Sequence, residues 1–255
     1  MASPFLYSAS AVGGYGYVTL PVQDVMPNQA SVALCVGPGI ANARVDGFKH
    51  LSFASIGSVR SQVIGAYSDL DESRETLSAV VAENVNVLDV VTCDRISLRL
   101  ASKYPEEANA EPAFVIHGTH FENLRIAGYP IDPDFASGLF NLLNTWGKLN
   151  GAYETDLVIR KQLSDLAMYP REGDKLPVDN GIFGCTVARI PDALPGGLTK
   201  KGQGIYVENF GTVYLGQFYI SALARRMRML YVDLGCTVEG YYGFVDGDLN
   251  GNPYP

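Results

Sequence analysis

Basic residues are in the minority: 19 Lys and Arg face 27 Asp and Glu, for a formal net charge of −8 and a pI near 4.9. That balance argues against a nucleic-acid partner, because phosphate binding needs a dense Lys/Arg surface. Apolar residues make up 47% of the chain, which excludes a disordered polypeptide. No run of about 18 uninterrupted apolar residues occurs, so no membrane-spanning helix is expected. Cysteine is sparse and dispersed, at Cys35, Cys93, Cys185 and Cys236. No Cys-x-x-Cys pair exists, so zinc-ribbon and thioredoxin-type chemistry has no support. The four thiols read as small buried hydrophobes, although two disulfides in three connectivities stay open. Catalytic signatures are missing too. There is no Gly-x-Ser-x-Gly elbow, and neither Gly13-Gly14-Tyr15-Gly16 nor Gly196-Gly197 opens a helix with the Lys-Ser/Thr of a phosphate loop. The N-terminal Met1-Ala2-Ser3-Pro4-Phe5 lacks the basic and apolar regions of a secretory signal, so the expectation is a protein kept in the cell or a mature form behind a new Met.

What is present is β pattern. With 255 residues, 27 Gly and 14 Pro, the chain is long enough for one large β domain, read here as 1–255. Short strands are expected at Tyr17 to Val22, Ala30 to Val36, His50 to Ile56 and Val59 to Tyr67, broken at Met26-Pro27-Asn28-Gln29, Gly37-Pro38-Gly39 and Gly57-Ser58. From Arg95, strict alternation sets Ile96, Leu98 and Leu100 against Arg95, Ser97 and Arg99, the mark of a half-buried strand. Upstream the phase shifts at Val87-Leu88, which indicates a bulge or turn. Further β runs fall at Ala113 to Ile126, Gly181 to Ile190, Ile205 to Phe210, Thr212 to Ile220 and Met227 to Leu234. Between them, at about 132–170, a helical insertion is expected. There Asp134 caps a helix carrying Leu139, Leu142, Leu143 and Trp146 with Gly147 as its stop, and Tyr153 to Met168 forms a second helix ended by Pro170. The fold class is mainly β, an antiparallel sandwich or barrel-like arrangement, with an irregular β-helix left open.

Two runs carry a resemblance: Asn84-Val85-Asn86-Val87-Leu88-Asp89-Val90-Val91-Thr92-Cys93-Asp94, and His117-Gly118-Thr119-His120-Phe121-Glu122-Asn123-Leu124-Arg125-Ile126-Ala127-Gly128-Tyr129-Pro130-Ile131. In order and spacing this segment, 84–131, resembles uncharacterised secreted bacterial β-rich proteins of the choice-of-anchor type. The resemblance implies an extracellular structural or binding role and supplies no catalytic residue.

Several constellations are candidates for chemistry. Asp246-Gly247-Asp248-Leu249-Asn250-Gly251-Asn252 matches the front of a calcium loop, making Asp246, Asp248 and Asn250 candidate ligands, but the position for a closing bidentate Glu lies past Pro255. His117, His120 and Glu122 form the only histidine cluster, and in a strand only His120 and Glu122 share a face, with His50 a distant third ligand. Among the carboxylates, Asp89, Asp94, Glu122, Asp132 and Asp134 would serve glycoside hydrolysis only if two stand at the right separation. Tyr numbers 15, many of them in the last strands. Tyr241, Tyr242 and Trp146 are candidate stacking platforms for a glycan. On strand Thr212 to Ile220, period 2 puts Tyr214 and Phe218 on one face with apolar residues on the other, as in a buried or interface strand. Arg225-Arg226-Met227-Arg228 reads as a solvated charge run at a turn, or an intersubunit contact for an acidic surface. The reading is a non-catalytic structural or interaction protein working through self-association, expected to be a homo-oligomer with no cofactor beyond that calcium candidate. The alternatives are a carbohydrate-binding module and, behind it, a carboxylate-dependent glycoside hydrolase or lyase.

Overall fold

A computed structural model describes residues 5–70, 72–105, 111–168, 178–179, 181–235 and 237–253. Two open sheets stack on each other. One has eight strands, running Tyr129–Pro130, Arg125–Ile126, Val91–Pro105, Ser73–Val87, Ala54–Ser68 and Gly39–His50, with Ala113–Ile116 and His120–Glu122 also laid along Val91–Pro105. The other has ten. Its path is Val178–Asp179, Ile182–Thr186, Gly211–Ile220, Arg225–Leu234, Glu239–Leu249, Ala9–Leu20 and Asp24–Gln29, joined by Val32–Leu34 and the hairpin Leu198–Lys201 with Gly204–Val207. The long ladders are all antiparallel. The fold is therefore a β sandwich; no barrel closes among the described residues, and a β-helix, whose coils pair in parallel, does not form.

Local chemistry explains the ladders. Ser73–Val87 and Val91–Pro105 meet at a turn in which Leu88 and Asp89 have φ of 52° and 56°. Positive φ at successive turn residues matches the twist of the flanking strands, and the Asn86 side chain ties the turn by bonding both the amide and the carboxylate of Asp89. The phase shift at Val87-Leu88 is thus a turn. Val80, Ala82, Ile96, Leu98 and Leu100 from this hairpin join Ala11, Phe244 and Leu249 of the other sheet in one apolar core. Close approach is allowed by glycine. A Cβ on Gly247 would come within 2.6 Å of Ser78 Oγ and 3.0 Å of Leu98 Cδ2.

Each sheet is crossed by one row at which the inside–outside alternation slips by a residue. In the eight-stranded sheet the row is Gly47, Gly57, Asn84 and Asp94; in the ten-stranded sheet it is Gly216, Met229, Val245 and Gly13. Each of these four strands in either sheet takes its extra residue at the same level, so the pairing register among them survives while the faces exchange. In alternate strands the residue is left-handed: Gly47 at 69°, Asn84 at 52°, Gly216 at 62° and Val245 at 59°. Glycine and asparagine adopt this conformation readily, whereas a β-branched residue such as Val245 is held there against its own preference.

The helical insertion is present but divided otherwise than the periodicity predicts. Helix α1 spans Ser137–Leu142, α2 Trp146–Thr155 and α3 Leu157–Leu166. Asp134 does not cap α1; it pairs in a short strand with Arg189, and Ala136 stands at the N-cap. Leu142 is 68% exposed, and Gly147 lies inside α2 rather than ending a helix. Thr145 accepts from Lys148 N and Asp156 from Val158 and Ile159 N, so two caps unseen in the apolar pattern start α2 and α3. Pro170 lies outside the described residues. The segment His50 to Ile56 is not one strand but the end of Gly39–His50, a turn at 51–53 and the start of Ala54–Ser68, and Met26 to Gln29 is strand rather than break. Among the described residues no helix is long and apolar enough to cross a membrane.

Candidate functional site: the outer face of the larger sheet

The register of the ten-stranded sheet arranges its outer face as transverse rows. The first runs Val25, Tyr17, Tyr241, Asp233, Thr212 and Tyr206. The second runs Tyr15, Gly243, Tyr231, Tyr214 and Gly204. Beyond the slip, the third is Val12, Asp246, Arg228 and Gln217, and the fourth is Ser10, Asp248, Arg226 and Tyr219. Six tyrosines thus line one half of the face, and Asp246, Arg228, Gln217, Asp248 and Arg226 line the other, with Val12, Ser10 and Tyr219 at the row ends.

Glycine lets the rings lie down. A Cβ on Gly243 would meet Tyr15 Cζ at 2.6 Å, and one on Gly204 would meet Tyr214 Cε1 at 2.9 Å. Each ring therefore covers the bare backbone of its strand partner and turns its other side outward. Tyr15, Tyr241, Tyr231 and Tyr214 follow one another at centroid separations of 6.5, 5.9 and 6.1 Å. The Arg228 guanidinium sits 5.4 Å from the Tyr15 ring and 5.0 Å from that of Tyr231, within cation–π range.

Asp246 joins the two halves. Its Oδ2 accepts from Tyr15 OH at 3.0 Å, Arg226 Nη2 at 2.9 Å and Arg228 Nε at 3.2 Å, and the carboxylate is almost wholly buried. Two guanidiniums and a phenol satisfy it, as a buried charge requires. Burial, then the charge of Asp246, pushes the Tyr15 phenol well above its usual range, and the hydrogen bond to Asp246 holds Arg226 more firmly protonated. Burial also raises the Asp248 carboxyl, against the opposing pull of Arg226, and its Oδ1 has no hydrogen-bond partner. A cavity of about 360 Å³ bounded by Tyr219, Arg226, Arg228, Asp248 and Asn250 adjoins one of about 220 Å³ that shares Arg226 and Asp248.

The candidates from the sequence scatter. Tyr214 and Tyr241 do belong to this face. Phe218 does not share it with Tyr214: the slip at Gly216 turns Phe218 into the core, where its ring meets those of Phe114 and Phe140. Tyr242 is fully buried, so it cannot be a stacking platform; its hydroxyl lies 2.7 Å from His50 Nδ1, while His50 Nε2 is 3.2 Å from Asp24 Oδ2. Trp146 opens α2, half-buried against the core. The calcium loop is not formed. Asp246 and Asp248 lie in the extended strand Glu239–Leu249, and the arginines already occupy Asp246, so no turn gathers their oxygens with that of Asn250. Among the described residues no group of three or more His, Cys, Asp or Glu is placed to hold a metal ion. The Arg225 cluster is strand, not a solvated turn: Arg225 is fully buried and donates to Pro112 O. Cys93 and Cys185 are buried free thiols as expected, Cys35 is exposed, and Cys236 lies outside the described residues. Sequence reasoning missed Tyr15 and Tyr17, and it named Arg228 only within a charge run placed at a turn. The signal was the interleaving of Tyr with Gly in Gly14-Tyr15-Gly16-Tyr17, which period 2 places on opposite faces.

A family model described as Domain of unknown function (DUF8256) matches residues 5–221, and the chain belongs to that family. Nothing among curated proteins matches the chain, and no solved structure does.

Proposed function

We propose that this member of the DUF8256 family is a non-catalytic structural or interaction protein, acting in self-association or surface assembly through the tyrosine rows of its larger sheet. The observation carrying this reading is the tyrosine half-face: six rings on one side of the sheet, those of Tyr15 and Tyr214 laid over glycines, bordered by Val25 at 60% and Leu20 at 48% exposure. Tyrosine on a rigid sheet offers large contact area at little entropic cost, which suits a protein interface. The polar groups beside it bind one another through Asp246, so their first role is to hold the face rigid. On the reading that segment 84–131 is similar to secreted choice-of-anchor proteins, the setting of this assembly is extracellular.

The test is mass in solution by size-exclusion chromatography with light scattering, at two concentrations, for the parent and a Tyr231→Ser/Tyr241→Ser variant. An oligomer that shrinks in the variant supports the reading. A parent that stays monomeric, or a variant of unchanged mass, counts against it. A second reading, a carbohydrate-binding face, is favoured by the outward ring faces of Tyr15 and Tyr214, since such faces stack on sugars. A flat glycan array would remove it.

A further inference from the structure

We propose that a second copy of this chain pairs with the open edge of the eight-stranded sheet, antiparallel along residues 43–47 of Gly39–His50 about a two-fold axis at Val45. This names a partner for the self-association part of the reading above, on a surface other than the tyrosine face. Gly39–His50 is the last strand of its sheet, bonded along one side to Ala54–Ser68. Among the described residues no backbone group bonds to its other side. The strand has 12 residues and no proline, and Ile40 on it is 63% exposed. Such an edge is a row of unpaired N–H and C=O groups, a template for another strand.

Charge selects both the occupant and the register. Ile40, Asn42, Arg44 and Asp46 point outward, while Ala41, Ala43 and Val45 turn toward the other sheet. A two-fold axis normal to the sheet sets residues equidistant from its centre opposite each other; about Val45 the faces match from Ala43 to Gly47, and the slip at Gly47 ends the paired stretch at both ends. Centred on Arg44, the pairing would set guanidinium against guanidinium; centred on Asp46, carboxylate against carboxylate. Centred on Val45, Arg44 faces the partner's Asp46 and Asp46 faces the partner's Arg44. Neighbouring registers are repelled and this one is held twice. Within one copy, Arg44 has Arg60 as its cross-strand neighbour and leans 2.9 Å onto its own Asp46, both side chains more than half exposed. The partner's carboxylate would stand on the open side of Arg44, relieving a like-charge pair.

The experiment is light scattering over a concentration series on the parent, Arg44→Asp, Asp46→Arg and an equimolar mixture of the two variants, with circular dichroism to confirm folding. The parent is expected to dimerise. Each variant alone should pair about tenfold or more weakly, because two attractions become repulsions. The mixture should recover the dimer, since one copy then carries two carboxylates at 44 and 46 and the other two guanidiniums. A monomeric parent, variants that dimerise like the parent, or a mixture no heavier than its components would each overturn the proposal. An oligomer insensitive to these changes but dissociated by Tyr231→Ser/Tyr241→Ser would overturn the edge pairing and leave the functional reading standing.

Discussion

Tyr15 lies across Gly243, its partner on the neighbouring strand, with the ring occupying the space where a Cβ would come within 2.6 Å of it. The same phenol donates to Asp246, so one glycine positions both an aromatic platform and a buried hydrogen bond. Gly243→Ala should therefore lift the ring and cost about 1–3 kcal/mol, the range for overpacking. Urea unfolding measures it. In a Tyr15→Ala background the space is free and the same substitution should cost less than half as much; equal costs in both backgrounds would show that the ring is not what fills the site.

Removing the charge of Asp246 leaves two guanidiniums short of a counter-ion. Breaking a buried pair by deleting one partner costs about 3–5 kcal/mol when both charges are sealed in. Here Arg226 is 46% exposed and water takes over part of its solvation, whereas Arg228 at 14% has little such relief. Asp246→Asn should accordingly lose about 1–3 kcal/mol. Arg226→Met, which removes the more hydrated partner, should lose less. Denaturation of both variants decides the order, and a reversed order would mean that the network does not depend on Arg228.

Much of the sandwich is legible in the sequence where period 2 runs unbroken, as in Arg95 to Leu100 and on either side of the turn at Leu88. It fails at the slip rows. Period 2 carried through Gly216 puts Phe218 beside Tyr214, yet one left-handed residue turns it into the core. The strand Gly39–His50 carries too few large apolar side chains to register, because as an edge it buries little. The strand Glu239–Leu249 is hidden by its composition: Asp246-Gly247-Asp248 has the residues of a cation loop, but Gly247 is there so that Ser78 and Leu98 of the facing sheet can approach. Tyr214 and Tyr241 were visible as surface candidates, while their neighbours depend on a cross-strand register that no single strand encodes.

Asn84 tests the slip row without disturbing the core, because it is exposed and left-handed at φ 52°. Asn84→Gly should leave stability about unchanged. Asn84→Val should cost about 1–2 kcal/mol, the penalty for a β-branched residue in that conformation. Thermal unfolding of the pair separates backbone strain from loss of the amide: if both variants fall equally, the side chain rather than the backbone is what matters at this position.

Thiol reactivity should sort by burial. Burial pushes the Cys93 thiol up to about 11 and that of Cys185 well above its usual range, so neither supplies thiolate at neutral pH, while Cys35 is exposed. Maleimide labelling of the folded protein, mapped by peptide mass, should modify Cys35 in preference to Cys93 and Cys185, with the latter two reacting fully in denaturant. Rapid native labelling of Cys93 would contradict its placement beneath the carbonyls of Arg95 and Glu122.

Asp248 sets a pH dependence whose sign follows from its environment. Burial raises its carboxyl above the unfolded value, more than Arg226 lowers it. Below the unfolded carboxylate range the group is protonated in both states and costs nothing. As pH rises through the interval between the unfolded and folded values, the unfolded chain ionises first, and a penalty against the folded state grows until the folded group has also ionised. Asp248→Asn removes that penalty while keeping the shape. The variant should be more stable than the parent at neutral pH, and the advantage should shrink as pH falls toward the unfolded carboxylate value. Stability curves of the two proteins between about pH 3 and 8 test this. An advantage that grows on acidification would mean that Asp248 is stabilised as the carboxylate, with Arg226 outweighing burial.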